Sequence, residues 1–156
     1  MRYTAVVTSY SDANTNDLHS KCYFGVLAGN KGNVYIALPK LEKGTIDTPW
    51  TPAPEDIGVC VVNGKPVDKV YSNGNQVYGR NLLKNTSDFS SNWSSDFSVS
   101  TTTEYDGHPS MVFTSSPNSW KLGVQAVSLG KLQNSTQYTI SFWAKADNAG
   151  DKAHTE

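Results

Sequence analysis

Charged residues, cysteines and long apolar runs are all scarce in this chain of 156 residues. Charged side chains make up 17% of it and the formal net charge is −1, which leaves no electrostatic footprint for nucleic acid or an anionic membrane. The two cysteines, Cys22 and Cys60, are too few for a disulfide framework and lack metal-ligand spacing, so we expect reduced, packed thiols. No apolar run approaches transmembrane length and residues 1–12 lack the apolar core of a signal peptide, so we expect a soluble chain.

Helical periodicity and enzyme motifs are also missing. There is no G-x-S-x-G, P-loop, H-E-x-x-H or nucleotide-binding glycine fingerprint. His19, His108 and His154 lie in polar, turn-like contexts that are typical of solvated loop residues. Nothing in the sequence places two carboxylates across a sugar for glycoside hydrolysis. We therefore expect no catalysis.

The chain is instead rich in alternating β-branched and aromatic residues, which predict strands. In "QYTISFWAKA" (137–146) one predicted face carries Tyr138, Ile140, Phe142 and Ala144, and the other carries Thr139, Ser141, Trp143 and Lys145. In "NVYIALPKLE" (33–42) the predicted faces are Val34, Ile36 and Leu38 against Tyr35 and Ala37. Further strands are predicted over 2–10, 21–29, 111–116 and 120–129. The pattern indicates an all-β protein, an antiparallel β-sandwich.

Turn signals divide these strands. Asn30-Lys31-Gly32 supplies the residues of a tight hairpin between 21–29 and 33–42. Asn63-Gly64 and Asn73-Gly74, each flanked by valines, predict two small hairpins, or a hairpin and a linker strand. Three prolines between residues 49 and 54 remove backbone hydrogen-bond donors, so the predicted series of strands in the first third of the chain ends there.

Three phrases resemble a known family. "GRNLLKNTSDFSSNW" (79–93), "YTISFWAKA" (138–146) and "YIALPKLEKGTIDTPWTPAPED" (35–56) are similar to the carbohydrate-binding-module-like jelly-roll domains of phage and prophage tail proteins of Gram-positive bacteria. In that family the first phrase opens the domain, the second is a central strand and the third closes it. Here the closing phrase comes first.

The resemblance implies a jelly-roll whose two halves stand in permuted order. Residues 1–58 would be its C-terminal half, 59–78 a hairpin-rich connector and 79–156 its N-terminal half. A circular permutation explains this order, and so does a fragment cut out of register from tandem repeats. A half sandwich leaves apolar surface and strand edges bare, so we expect the halves to complete each other, within one chain or between neighbouring chains.

Sugar binding is the main functional hypothesis. Pyranose rings offer apolar C–H faces for aromatic rings and hydroxyls for planar polar groups. The predicted set is Trp143, Trp120, Gln125, Arg2 and Tyr35, lining one concave sheet. The alternative is that Trp143 packs under a loop or against the connector, and that Trp120 packs in the core or a loop. Trp50 and Trp93, in the closing and opening phrases, are expected to be structural plugs.

A calcium ion is common in jelly-roll modules of this kind. Asp88, Asp96 and Glu42 are the carboxylates expected as hard oxygen ligands, with turn capping as the alternative for both aspartates. The leading hypothesis is a non-enzymatic structural and adhesion module of a phage or prophage tail that binds cell-wall saccharide. The rival is a purely structural spacer or assembly module. The resemblance further implies other tail proteins or a second copy as partners, and a location in the virion, or in the bacterial cytoplasm during prophage expression.

Overall fold

The strands are seen in a computed structural model that describes residues 1–9, 21–26, 28–29, 31–53, 61–62, 65–67, 69–114, 119–126, 132–133 and 135–155. This part of the chain forms strands and no helix. The strands are β1 Arg2–Thr8, β2 Lys21–Val26, β3 Val34–Lys43, β4 Val61–Val62, β5 Lys65–Pro66, β6 Lys69–Ser72, β7 Asn75–Gly79, β8 Trp93–Ser95, β9 Ser98–Tyr105, β10 His108–Phe113, β11 Lys121–Ala126, β12 Gln137–Ala146 and β13 Ala153–Thr155. Among the described residues no helix is long and apolar enough to cross a membrane.

Two main sheets build the fold. One has five strands in the order β1-β12-β3-β10-β9, and the other has four in the order β13-β2-β11-β8. Every pairing in them is antiparallel. The predicted all-β antiparallel sandwich is therefore confirmed.

The described strands of the first third do not pair with one another. β1 pairs with β12, β2 lies between β13 and β11, and β3 lies between β12 and β10. Both sheets are consequently built jointly by residues 2–43 and residues 93–155, strand against strand.

The expected hairpin at Asn30-Lys31-Gly32 is wrong, because β2 and β3 lie in different sheets. Asn30 lies outside the described residues, while the amides of Lys31 and Gly32 each donate to the carboxylate of Asp151, at 2.8 Å. These charge-assisted bonds tie the β2–β3 connection to the segment after β12 and hold the pKa of Asp151 below its usual value. A local turn signal permits a hairpin, but burial of both strands' apolar faces decides the pairing.

The two hairpins between residues 59 and 79 are present. β4 pairs with β5, and β6 pairs with β7. Asn73 and Gly74 have φ values of 50° and 81°, as a two-residue type I′ turn requires. Asn63-Gly64, between β4 and β5, lies outside the described residues.

The core lies between the two main sheets. The predicted inner face of β12 is confirmed, since Tyr138, Ile140 and Phe142 are buried there and the partly buried Ala144 packs against them. Packed with these are buried side chains from both sheets, among them Cys22, Phe24, Val26, Met111 and Phe113. Cys22 is a free, buried thiol as predicted, whereas Cys60 lies outside the described residues.

The alternation predicted for β3 holds only as far as Ile36. Leu38 has a φ of 51°, and the register shifts there, since Ser141 pairs with Lys40 while Trp143 pairs with Ala37. A bulge adds a residue to one strand and turns the following side chains to the opposite face. Leu41 therefore joins Val34 and Ile36 in the core cluster.

After the bulge, Lys40 and Glu42 point to the outer face of the five-stranded sheet, where a closing segment (44–53) covers them. Thr48 joins the contacts: its hydroxyl accepts from Lys40 Nζ at 2.6 Å and from the Gly79 amide at 3.0 Å, and donates to Glu42 Oε2 at 2.7 Å. Lys40 Nζ also lies 3.5 Å from Glu42 Oε2. One end of the outer face is thereby buried.

The opening phrase packs against the same closing segment. Asn81, fully buried, accepts from the Leu41 amide at 3.2 Å and donates to the Thr51 carbonyl at 3.1 Å and to Thr86 Oγ1 at 3.2 Å. Trp50 Nε1 also donates to Thr86 Oγ1, at 3.3 Å. The opening phrase thus runs beside β3 at Leu41 and is bound to the closing segment through Asn81, while its Leu82 and Leu83 side chains join the core.

Candidate functional site

The uncovered end of the outer face of the five-stranded sheet forms a groove with a cavity volume of about 240 Å³. Strands β12, β3 and β9 supply most of its lining. The side chains that give the groove its chemistry are Tyr35, Thr103, Glu104, Tyr105, Trp143 and Lys145. The groove therefore combines three aromatic rings with a hydroxyl, a carboxylate and an ammonium group.

Trp143 stands at the centre of this groove. Alternation along β12 turns it away from the core, as predicted, and it is half-buried. The ring of Tyr105 stacks on it, with centroids 4.1 Å apart and an interplanar angle of 21°. The offset-stacked geometry is the one that aromatic pairs prefer, so Tyr105 covers part of the indole.

Tyr105 is a site residue that the sequence analysis misses, although its position carries a recognisable signal. It ends β9, and Asp106 and Gly107, with φ values of 53° and 74°, turn the chain into β10. Asp-Gly between two alternating segments is a strong signal for a tight hairpin. That signal identifies the hairpin, but not the reach of its last side chain to a strand three positions away in the sheet.

Tyr35 and Lys145 lie together at one end of the groove. Lys145 Nζ is 5.9 Å from the centroid of the Tyr35 ring, within cation–π range. The Tyr35 hydroxyl approaches Asp147 Oδ2 at 3.4 Å and Asn33 Nδ2 at 3.5 Å, distances that leave both contacts weak. Of the five predicted sugar-binding residues, the groove brings Tyr35 and Trp143 together.

Arg2 lies opposite Trp143 in the register of β1 and β12 but serves another contact. Its guanidinium donates to Asp47 Oδ1 at 2.5 Å and to the Thr48 carbonyl at 2.8 Å. Thr4 Oγ1 donates to the other oxygen of Asp47 at 2.8 Å. Arg2 therefore fastens the closing segment to β1 beside the groove.

Gln125 belongs to the four-stranded sheet and Trp120 lies next to it, so the predicted single surface for all five residues is not formed. Trp120 directly precedes β11, is 53% exposed, and its ring lies 5.9 Å from that of His154. The backbone of Gln125 pairs with Cys22 and Trp93, and its side chain lies outside the described part of the chain. Sequence alternation assigns faces within a strand, but it does not say which sheet a strand joins.

The three carboxylates considered for calcium do not converge. Glu42 is bound to the Thr48 amide at 2.9 Å and to its hydroxyl, while Asp88 Oδ1 accepts from the Ser90 amide at 3.0 Å. Asp88 thus caps a turn, the predicted alternative. Within the described ranges no three His, Cys, Asp or Glu side chains form a metal-binding group, and calcium binding by Asp88, Asp96 and Glu42 stays a prediction.

Trp50 and Trp93 hold structural contacts, as predicted. Trp50 bonds Thr86, and its ring lies 5.0 Å from that of His108. Trp93 packs against the core and donates its Nε1 hydrogen to the Lys84 carbonyl at 3.1 Å. Both indole N–H groups are therefore occupied by the protein itself.

Comparison with known protein families agrees with this chemistry. A family model described as "Carbohydrate binding domain" (CBM_4_9) matches residues 69–154, more than half of the chain. The match includes most of the groove, with Tyr105 and Trp143, and leaves out β1–β3, which complete both sheets. No curated protein and no solved structure shows significant similarity to the chain. On the family match, the chain belongs to this family of carbohydrate-binding domains.

Proposed function

We propose that the protein is a non-enzymatic module that binds a saccharide in the groove of the five-stranded sheet. The observation that carries the proposal is the stacked pair of Trp143 and Tyr105 in an open groove, in a chain of a carbohydrate-binding family. An indole ring that a strand holds rigidly offers a flat apolar surface at little entropic cost.

The polar groups of the groove suit a neutral sugar. Thr103, Glu104 and Lys145 supply a hydroxyl, an acceptor and a donor around the aromatic rings. The lining includes residues of both signs, Glu104 and Lys145, and the terminal amino group of Met1 donates to the Ala144 carbonyl at 2.8 Å. A pyranose would pack its C–H face on the aromatic pair and place its hydroxyls toward these groups.

The direct test is Trp143→Ala, with Trp120→Ala as the matched control beside the other sheet. Isothermal titration against purified Gram-positive cell-wall polysaccharides should show binding to the natural chain and to Trp120→Ala. Trp143→Ala should bind roughly tenfold more weakly or worse. Its melting temperature should change little, because the side chain lies outside the core cluster. Undiminished binding by Trp143→Ala would contradict the proposal.

We further propose that this activity serves adhesion in a phage or prophage tail, with cell-wall saccharide as the ligand. The support is the resemblance of residues 35–56, 79–93 and 138–146 to domains of such tail proteins. The proposed partners are other tail proteins or a second copy, and the proposed location is the virion, or the host cytoplasm before assembly. Sedimentation of the chain with intact Gram-positive cell walls, but not with walls stripped of polysaccharide, is the expected result.

A spacer without sugar binding is the second candidate, and one contact favours it. Tyr105 lies on the ring of Trp143 where a sugar would bind, so the pair is also consistent with packing of the β9–β10 hairpin onto the sheet. Under this alternative Tyr105→Ala lowers the melting temperature, and neither the natural chain nor the variant binds polysaccharide. Under the leading proposal Tyr105→Ala weakens polysaccharide binding and changes the melting temperature little.

A further inference from the structure

We propose a second binding site, separate from the groove, that takes a saccharide unit bearing a carboxylate. It is the cavity between the β6–β7 hairpin and the segment after β3, called here the hairpin cavity, with a volume of about 510 Å³. Its lining includes Ile46, Lys69, Tyr71, Asn75, Gln76 and Gln137. A space of this size lies in the range of small-ligand sites.

An exposed apolar surface borders the hairpin cavity. Tyr71 is 58% exposed and Ile46 is 51% exposed, and both line the cavity. β6 and β7 pair only with each other among the described strands, so no described sheet neighbour covers this surface. An aromatic ring held on a strand and left open to solvent is suited to the C–H face of a pyranose.

Three carboxamides surround that surface. Asn75, Gln76 and Gln137 each offer donors and an acceptor, the groups that bind sugar hydroxyls in pairs. Gln76 Nε2 is buried and makes no hydrogen bond within the described residues. This atom is closed off from solvent, so the carboxamides that can meet a ligand are the exposed Asn75 and Gln137 and the oxygen of Gln76.

The charge of the hairpin cavity has one sign. Lys69 is its cation, and no carboxylate is found among the described residues that line it. Gly44, with a φ of 112°, leaves room for the ammonium group, since a Cβ there would stand 2.6 Å from Lys69 Nζ. In the described part of the chain Lys69 pairs with no carboxylate. A cation beside three carboxamides favours an acidic sugar, whereas the lining of the groove includes an acidic residue, Glu104.

The test uses the full chain and a matched pair of probes, trigalacturonate and its methyl ester. In amide NMR spectra, trigalacturonate should shift the side-chain signals of Asn75 and Gln76, and the ester should shift them at roughly tenfold higher concentration. Tyr71→Ala should weaken trigalacturonate binding roughly tenfold, and Lys69→Gln should remove the preference for the acid. Both side chains are on the hairpin, and Tyr71 is exposed, so these variants are expected to fold.

Trp143→Ala serves as the control, because it should leave the hairpin cavity's response to trigalacturonate unchanged. Shifts by the ester alone, an unchanged affinity in Tyr71→Ala, or no shift with either probe would overturn the proposal. A response that disappears in Trp143→Ala would also overturn it, since the ligand would then lie in the groove. Failure of the groove to bind cell-wall polysaccharide, with the hairpin cavity responding as described, would refute the proposed function alone.

Discussion

Lys40 and Glu42 place two charges of opposite sign where neither side chain has any exposed surface. Burial lowers the pKa of Lys40 from 10.5, and the charge of Glu42 opposes that change. Thr48, which bonds both, extends the pair to the closing segment. An ion pair of this kind costs desolvation, so its value lies in positioning the segments that it joins.

Removal of one charge tests the coupling between Lys40 and Glu42. Lys40→Met leaves Glu42 buried without its cation, and we expect the free energy of unfolding to fall by about 3–5 kcal/mol. Adding Glu42→Gln removes the stranded charge and should restore part of that loss. Urea denaturation of the natural chain, both single variants and the double variant completes the cycle. If the losses of the two single variants sum to the loss of the double variant within about 0.5 kcal/mol, the two side chains are not coupled and the prediction is contradicted.

Cys22 gives a prediction about alkaline pH. Burial raises the pKa of its thiol from 9.0 to about 12, against a smaller opposing effect of the Tyr23 backbone. Above pH 9 the thiol ionises in the unfolded chain but not in the folded one. The contribution of the buried thiol to the free energy of unfolding is therefore intact below pH 9 and is lost as pH rises toward 12. In that range the free energy of unfolding should fall by about 1.4 kcal/mol per pH unit through this one group.

Comparison of the natural chain with Cys22→Ala isolates this contribution. The variant should be less stable at neutral pH because a core side chain is cut back, and its unfolding free energy should fall less steeply between pH 9 and 12. Cys60 is present in both proteins, so the difference between the two curves isolates Cys22. Parallel curves for the two proteins would contradict the burial of an ionisable thiol at this position.

Individual elements show what the sequence could and could not predict. The faces of β12 and the β6–β7 turn follow from alternation and from Asn73-Gly74, both local signals. The separation of β2 from β3 and the bulge at Leu38 depend on long-range packing, as does the pairing of Arg2 with Asp47 in place of a sugar. Local sequence determines the conformation within a strand or turn. Which strands pair with one another depends on how the apolar side chains of the whole chain pack into one core.

The β6–β7 hairpin forms a sheet of its own among the described strands, so a local change in its stability can be measured apart from the main sheets. A Cβ added at Gly74, where φ is 81°, would meet no atom within 4 Å, so Gly74→Ala introduces backbone strain and no clash. We expect a local cost of about 1 kcal/mol. Hydrogen exchange should accelerate across residues 69–79 and stay unchanged in the five-stranded sheet, with the exposed Ser72→Ala as control. A uniform acceleration of both sheets would contradict the hairpin's independence.

At the scale of the molecule, the chain is interlaced. Among the described strands β1, β2 and β3 pair only with strands that follow residue 92. Residues 1–78 therefore lack every partner of these three strands, while residues 79–156 keep the β8–β11 and β9–β10 pairs and lose the partners of β12 and β13. The family match covers residues 69–154, while β1–β3 complete the sheets from the other end of the sequence. That the closing half of the domain precedes the opening half stays a prediction from the sequence.

Fragments test that arrangement. Residues 1–78 and 79–156, expressed separately, should show little β-sheet circular dichroism and regain it on mixing, because each supplies the other's missing strands. Light scattering should give the mass of one copy of each fragment in the mixture. Two fragments that fold independently would contradict the interlaced topology.

The central claim is that the groove at Trp143 binds saccharide, and the indole N–H signals of the four tryptophans test it most directly. Trp50 and Trp93 donate theirs to Thr86 and Lys84, and Trp120 lies beside the other sheet. In an NMR titration of the full chain with solubilised cell-wall polysaccharide, the Trp143 signal should move while the other three stay. Movement of Trp120 alone, or of none, would contradict it.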